Sequence, residues 1–268
     1  MSCDRIVCYI FTVFDKKETL KDFANHYKKY NSGINHELVI CFKLFNSLEI
    51  NELKEYLIDI NYTEFIDPSK ENDWDFGSYM RVSESFYNKD ILFLSSHSYP
   101  VCNDWLKKLF IFKNDETVIA PTASYESLVD SIKLKNKFHK IIRYLIRKYK
   151  FSKDFNKFPN PHFRTSSFLI NSKIFLNYIK DKKLRNKEDT LKIESGKNSL
   201  TKYLKNKKIK ILVVNSDGEK FEQNNWKYSE TYNFLKHDKS IISDKHSRKY
   251  LELNNDEKKN ARLTVWGI

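Results

Sequence analysis

Apolar residues fall into short continuous runs along the first half of the chain, separated by segments in which they recur every third or fourth position. RIVCYIFTVF, residues 5–14, is rich in β-branched and aromatic residues and predicts a buried strand. In ETLKDFANHYKKYN, residues 18–31, Leu20, Phe23, Tyr27 and Tyr30 share one face, which predicts a helix stopped at Gly33. HELVICFKLF predicts a second strand, and NSLEINELKEYLIDI a second helix behind a capping serine. YTEFIDP reads as a short third strand ended by Pro68, with a helix expected around 77–88. DILFLSSHSYP reads as a fourth strand, CNDWLKKLFIF as a helix with Trp105, Leu106 and Leu109 inward, and ETVIAPTASYES as a strand and then a loop. This alternation predicts an α/β fold with a mainly parallel, twisted sheet flanked by helices. Ligands of such sheets bind beyond the C-terminal strand ends. Thr12–Phe14, Asp67–Gly77 and Ser95–Ser98 therefore fall on one rim, provided the first, third and fourth strands run side by side and deliver Thr12, Asp75 and His97 into one cleft.

The pattern changes after residue 125. Phe138, Ile141, Ile142, Leu145, Ile146 and Tyr149 recur at helical spacing with lysines and arginines on the opposite side. Such a helix either packs its stripe on the core or lies at a membrane interface, and the first is the commoner case. FPNPHFRTSSFLI reads as a proline-punctuated loop entering a strand, SKIFLNYIKDKKL and SLTKYLKNKK as helices, and IKILVVNSDGEKF as a strand with an SDG turn. The last forty residues are polar and tyrosine-rich and read as a wrap over the site. One domain, 1–268, is expected: residues 1–125 form its ligand-binding half, and 126–268 a second half with the C-terminal wrap.

Composition sharpens this in three respects. A chain that is 40% hydrophobic and 31% charged supports a core and excludes disorder. The formal charge of +13 is dispersed along the chain, which suits an anionic partner such as a nucleotide or an anionic membrane, though Lys, Asn, Ile and Tyr abundance also follows from AT-biased coding. Dispersed charge without a zinc-finger or RNA-binding signature makes nucleic acid the weaker partner. Cys3, Cys8, Cys41 and Cys102 lack any CxxC spacing and read as reduced core thiols. The N-terminal run lacks a small-residue cleavage site, and no stretch approaches the roughly 20 apolar residues of a membrane span. A cytoplasmic location is expected, with a peripheral place at the inner membrane surface.

Five constellations carry candidate chemistry. In DWDFGSYMR, Asp73 and Asp75 can accept hydrogen bonds from base or ribose, Gly77 permits close backbone approach, Ser78 opens a helix N-terminus, and Arg81 can reach a phosphate; an N-cap acid ahead of a helix is the plainer reading. Ser95, Ser96, His97 and Ser98 bring hydrogen-bonding groups, and in His97 a metal or phosphate ligand, to a strand end. His162 and Arg164 alternate, so both point to one face and Phe163 points away. Glu194 is an acid entering a helix, with Ser195 as its cap, and is either a base or a capping group. Asp244 and His246, with Arg248 beyond, can share a divalent ion or form a solvated loop.

The serial order of DWDFGSY, ILFLSSHSYP followed by DWL, APTASYES, FPNPHFRTSSFLI, ESGKNSL, the SDG turn, Trp226-x-x-Ser229-x-Thr231 and RLTVWG resembles that of GT-A type (Rossmann-like) glycosyltransferases, especially small bacterial and phage enzymes of polysaccharide, rhamnan-type synthesis. The resemblance implies a nucleotide-sugar donor of UDP, GDP or dTDP type lying across the strand ends, and a glycan or lipid-linked acceptor entering past Pro159–Thr165, in a C-terminal acceptor-side half. It puts Thr12 and Phe14 near the base, Asp73, Asp75, Gly77, Ser78 and Arg81 on the donor, and Ser95, Ser96 and Ser98 beside the diphosphate. His162, Arg164, Thr165 and Trp226 then serve the acceptor, with Glu194 and His97 as the catalytic pair. SSHS stands where the family carries the DxD carboxylates that hold Mn or Mg. Two arrangements remain: an altered metal site from His97, Asp244 and His246, or neutralisation of the diphosphate by lysines and arginines. The missing carboxylates also leave open a degenerate fold that binds without catalysing.

Overall fold

A computed structural model describes residues 4–131 and 138–268. Cys3, one of the expected core thiols, lies outside the described residues; Cys8 and Cys41 are buried and unpaired, and Cys102 is half-buried and unpaired. The run RIVCYIFT forms β1 (Arg5–Thr12), followed by α1 (Lys17–Lys29), β2 (Glu37–Lys43), α2 (Ser47–Leu53), β3 (Thr63–Ile66), α3 (Trp74–Ser85) and β4 (Asp90–Leu94). A short strand β5 (Tyr99–Pro100) leads to α4 (Trp105–Phe110), β6 (Thr117–Ala120) and β7 (Ala123–Ser124). Beyond these come α5 (Phe138–Asp154), β8 (His162–Phe163), β9 (Ser167–Asn171), α6 (Ser172–Ile179), α7 (Lys187–Ser195) and α8 (Leu200–Asn206). The chain closes with β10 (Lys210–Val214), β11 (Lys220–Phe221), β12 (Ile242–Ser243), α9 (Lys245–Glu252) and α10 (Asn255–Trp266).

One eight-stranded sheet runs in the order β11-β10-β6-β9-β4-β1-β2-β3. β3, β2, β1 and β4 are parallel neighbours, and β10 is parallel to β6. β9 inserts antiparallel between β4 and β6, and β11 turns back on β10. The sheet is thus mainly parallel and α/β, as the alternation predicts. Successive side chains of β1 serve opposite layers: Ile6, Cys8 and Ile10 meet Tyr79 and Val82 of α3 and Phe175 of α6, while Val7, Tyr9 and Phe11 meet Leu20 and Phe23 of α1 and Trp105 of α4. The expectation that the first, third and fourth strands lie side by side is corrected, because β2 separates β1 from β3. Burial explains the order: six of the seven residues of β2 are buried and claim an inner position, whereas TEFI of β3 is largely exposed and takes the edge.

Local signals shift several boundaries. Asn46, not the serine after it, caps α2, accepting from Leu48 N and Glu49 N in a capping box. α3 begins at Trp74, so DWDFGSYMR is mostly helix rather than a loop before one. Glu194 closes α7 instead of entering a helix, and Ser195 is that helix's last residue rather than a cap. The C-terminal segment holds α9 and α10, each opened by a capping box, and Trp266 docks in the core with Nε1 donating to the Tyr232 carbonyl at 2.8 Å.

Candidate functional site

A cleft of about 330 Å³ opens at the C-terminal ends of the parallel strands. Trp74, Asp75, Ser95, His97, Arg164, Thr165, Glu194, Asp244 and His246 all line it. Its construction starts at β4, which ends at Leu94 and releases SSHS. Ser95 N donates to the Ser166 carbonyl at 2.9 Å, and Ser98 Oγ donates to the same carbonyl at 3.0 Å, so the antiparallel β9 brings Arg164–Ser166 to this rim. Alternation then divides the tetrad: Ser95 and His97 face the cleft, while Ser96 and Ser98 are buried behind it. β12 pairs with β5 and carries Asp244 and His246 to the same place.

Thr12 reaches the site through an unforeseen residue. Thr12 Oγ1 donates to Asp15 Oδ2 at 2.6 Å, and Asp15 Oδ1 lies 3.4 Å from His97 Nε2. Burial opposes ionisation of Asp15, but donors from His97, Thr12 and Ser96 outweigh it and hold the carboxyl below its ordinary range. Phe14, expected near a base, is 67% exposed and does not line the cleft.

The opening of α3 separates into a structural half and a half that faces the cleft. Arg81 spans two carboxylates, with Nε 2.6 Å from Asp67 Oδ1 and Nη1 2.6 Å from Asp73 Oδ2. Asp73 is also paired with the fully buried Lys43, which donates in addition to the Trp74 carbonyl. Ser78 donates to Asp67. The donor-site expectations for Asp73, Ser78 and Arg81 are corrected accordingly, since each is engaged by a charged or hydroxyl partner inside the protein. Gly77 likewise makes room for the Asp73 carboxylate, which a Cβ there would overlap, rather than for a ligand. Asp75, one residue past Trp74, is different: among the described residues no hydrogen bond or ion pair engages its carboxylate, which faces the cleft. Burial pushes it up to about 6, with the Lys43 charge opposing and Asp15 and Glu194 adding to the shift. Trp74 holds φ at 59°, and its buried Nε1 has no partner among the described residues.

A second chamber of about 300 Å³ adjoins the first, sharing Arg164, Leu191, Glu194 and His246 with it. The β7–β8 ribbon places His162 there, with Glu126 close by. His162 Nδ1 donates to the Asn160 carbonyl at 2.8 Å, and burial lowers the pKa of the ring. Burial also raises the Glu126 carboxyl, Arg164 opposing and Glu194 reinforcing. Glu194 Oε1 accepts from Thr165 N at 3.0 Å and stands at the junction of the chambers. Trp226, expected at the acceptor, is fully buried in the core beside Tyr125 and is corrected to a packing residue; the indole ring simply found the interior.

The metal set expected from His97, Asp244 and His246 does not fit. Asp244 Oδ1 accepts from His246 N at 2.9 Å and Ser247 N at 2.8 Å, and Oδ2 from Arg164 Nη1 at 2.5 Å and Ser166 Oγ at 2.7 Å. Every lone-pair direction of this carboxylate is taken. Burial alone would raise it, but Arg164 and these donors hold it far below the ordinary carboxylate range, and Arg164 also stacks over Tyr232 at 4.0 Å. Among the described residues, no group of three or more His, Cys, Asp or Glu side chains is placed to hold a metal ion.

Sequence reasoning missed Trp74, Glu126, Lys187 and Lys245 at these chambers, and Asp15 behind His97. Only Asp15 had a local signal, an acid just past a buried strand end.

No protein-family model matches the chain, and no curated protein matches it. Solved structures similar to it include the galactosyltransferase LgtC in complex with donor and acceptor sugar analogs, at 12% identity over 79% of this chain and 73% of that one, with a TM-score of 0.41. The bifunctional glycosyltransferase WbbM is 12% identical over 96% of this chain and 44% of its own, at a TM-score of 0.41. The mannosyltransferase Ktr4p from S. cerevisiae is 12% identical over 66% and 59%, at 0.39. The likeness is loose at these values, and the α/β architecture stands on this chain's own strand order.

Proposed function

We propose that the chain is a GT-A type glycosyltransferase that moves a sugar from a nucleoside-diphosphate sugar to a hydroxyl of a glycan or lipid-linked acceptor. The observation that carries the reading is the convergence of Asp75, His97, Thr165 and Glu194 in one cleft at the C-terminal rim of a mainly parallel sheet. In this reading the donor occupies the chamber of Asp75 and His97, where the unpartnered Asp75 accepts from a ribose or sugar hydroxyl and Trp74 offers a stacking face. The acceptor enters the chamber of His162 and Glu126. Glu194, at the junction and oriented by Thr165 N–H, takes the proton of the acceptor hydroxyl. The freed oxygen bonds to the anomeric carbon, and the carbon–oxygen bond to phosphate breaks, its electron pair leaving with the nucleoside diphosphate. A base so placed suits an inverting displacement.

Lys187 and Lys245 line the donor chamber and meet the charge of the diphosphate, with His97 as a further hydrogen-bonding group. Calorimetry with UDP, GDP and dTDP, with and without manganese, tests donor binding, and release of nucleoside diphosphate tests turnover. Absence of binding to all three defeats the reading. Binding without turnover supports the second reading, a non-catalytic module, which the lack of any acid in SSHS favours.

A further inference from the structure

Among the described residues, nothing covers an apolar stripe on helix α5. Ile142 is 51% exposed, Leu145 58%, Ile146 62% and Tyr149 67%, and Ile141 stands beside them at 37%. The sequence alone favours a stripe turned to the core, yet the core contact is made elsewhere. Phe151, in the last turn, and Phe155, just past it with its N–H on the Phe151 carbonyl, are the buried residues, packed with Val129, Leu128 and Leu191. At about 100° per residue those two anchors lie about 130° around the axis from the centre of the stripe. The helix therefore carries two apolar faces, one docked and one bare.

The charge of the same helix says what covers the bare face. Arg143, Arg147, Lys148 and Lys153 share the helix with the stripe, Lys150 is paired with Glu188 at 2.6 Å, and Asp154, the last residue, is the only acid in the element. A second copy of the chain docked there would bring like charges together, whereas an anionic lipid surface accepts both the apolar side chains and the cations. No helix among the described residues is long and apolar enough to cross a membrane, so the element lies along a surface rather than through it. We propose that α5 is an interfacial anchor that seats the protein on an anionic lipid leaflet through Ile142, Leu145, Ile146 and Tyr149. Its fixed end packs on Leu128 and Leu191, which line the two chambers, so the seated protein would hold the mouth of the cleft close to the lipid surface.

The test is co-sedimentation of the full chain with vesicles of phosphatidylcholine alone and of phosphatidylcholine mixed with phosphatidylglycerol, at low and high salt. Partitioning onto the anionic vesicles is expected to exceed that onto neutral ones by at least about tenfold and to fall as salt rises. Leu145→Glu with Ile146→Glu should lower it by about tenfold or more, and Arg143→Glu with Arg147→Glu should do the same on anionic vesicles only. Both pairs are changes at exposed positions, and unchanged melting temperatures would confirm an intact fold. Equal binding to both vesicle types, or binding that survives Leu145→Glu with Ile146→Glu, overturns the proposal. So does a concentration-dependent dimer that the same pair abolishes while vesicles remain unbound, since the occupant is then a second copy. The inference stands apart from the transferase reading, because nucleotide binding does not enter the measurement.

Discussion

Asp75 is the residue at which burial and function meet most directly. Its carboxylate faces the cleft without a partner among the described residues, and burial raises it to about 6 against an ordinary 3.8. The folded state therefore holds its proton more tightly than the unfolded one, so stability falls as pH rises between about 4 and 6 and stays at the lower level above that window. Asp75→Asn should raise stability at pH 8 by about 1–3 kcal/mol, with the gain vanishing below about pH 4. Thermal melts of both proteins across this range check the sign; a gain that does not vary with pH, or a loss at pH 8, contradicts it. The same variant should raise the donor KM while leaving the fold intact. Arg164 and Asp244 show the opposite logic, a buried pair whose carboxylate is fully engaged. Arg164→Met strands the Asp244 charge and should cost about 3–5 kcal/mol, read in a urea titration, and adding Asp244→Asn should recover part of it.

At the scale of elements, α3 shows how a helix start is held open. Trp74 stands at φ 59°, a strained value for a bulky residue, and Lys43 donates to its carbonyl while also pairing with Asp73. The Asp73 carboxylate in turn occupies the space above Gly77. Gly→Ala inside a helix ordinarily stabilises by about 0.5–1 kcal/mol. Here the added methyl must displace Asp73 from Lys43 and Arg81, so Gly77→Ala should instead destabilise by roughly 1–3 kcal/mol, and a chemical melt showing stabilisation would refute this account. This element also marks the limit of sequence reading. DWDFGSYMR was legible as a rim segment because it follows a strand, but which of its acids would be consumed was not. That depended on Asp67 and Lys43, contributed by the ends of β3 and β2, and no local pattern announces them.

For the whole molecule, the chambers draw residues from both halves of the chain: Asp75 and His97 from the first, Arg164, Glu194 and Asp244 from the second. β9 joins the halves by inserting between β4 and β6. A single cooperative melting transition is therefore expected. Saturating nucleotide, at about a hundredfold over its Kd, should move that transition as a unit by about 5–10 °C. Calorimetry showing two transitions, with only one displaced by nucleotide, would mean that the halves fold apart and that the cleft is not a shared core feature.

The order of apolar runs determined the α/β class, most strands, and the rim on which Asp75 and His97 lie, because strand and helix periodicities are local and the C-terminal ends of parallel strands share one side. Only the tertiary structure decided strand order, the pairing of Asp15 with His97, the saturation of Asp244, the burial of Trp226 and the exposure of the α5 stripe. Each of these depends on partners distant in sequence, and a charge, an indole or an apolar stripe carries no mark of whether another part of the chain will arrive to cover it.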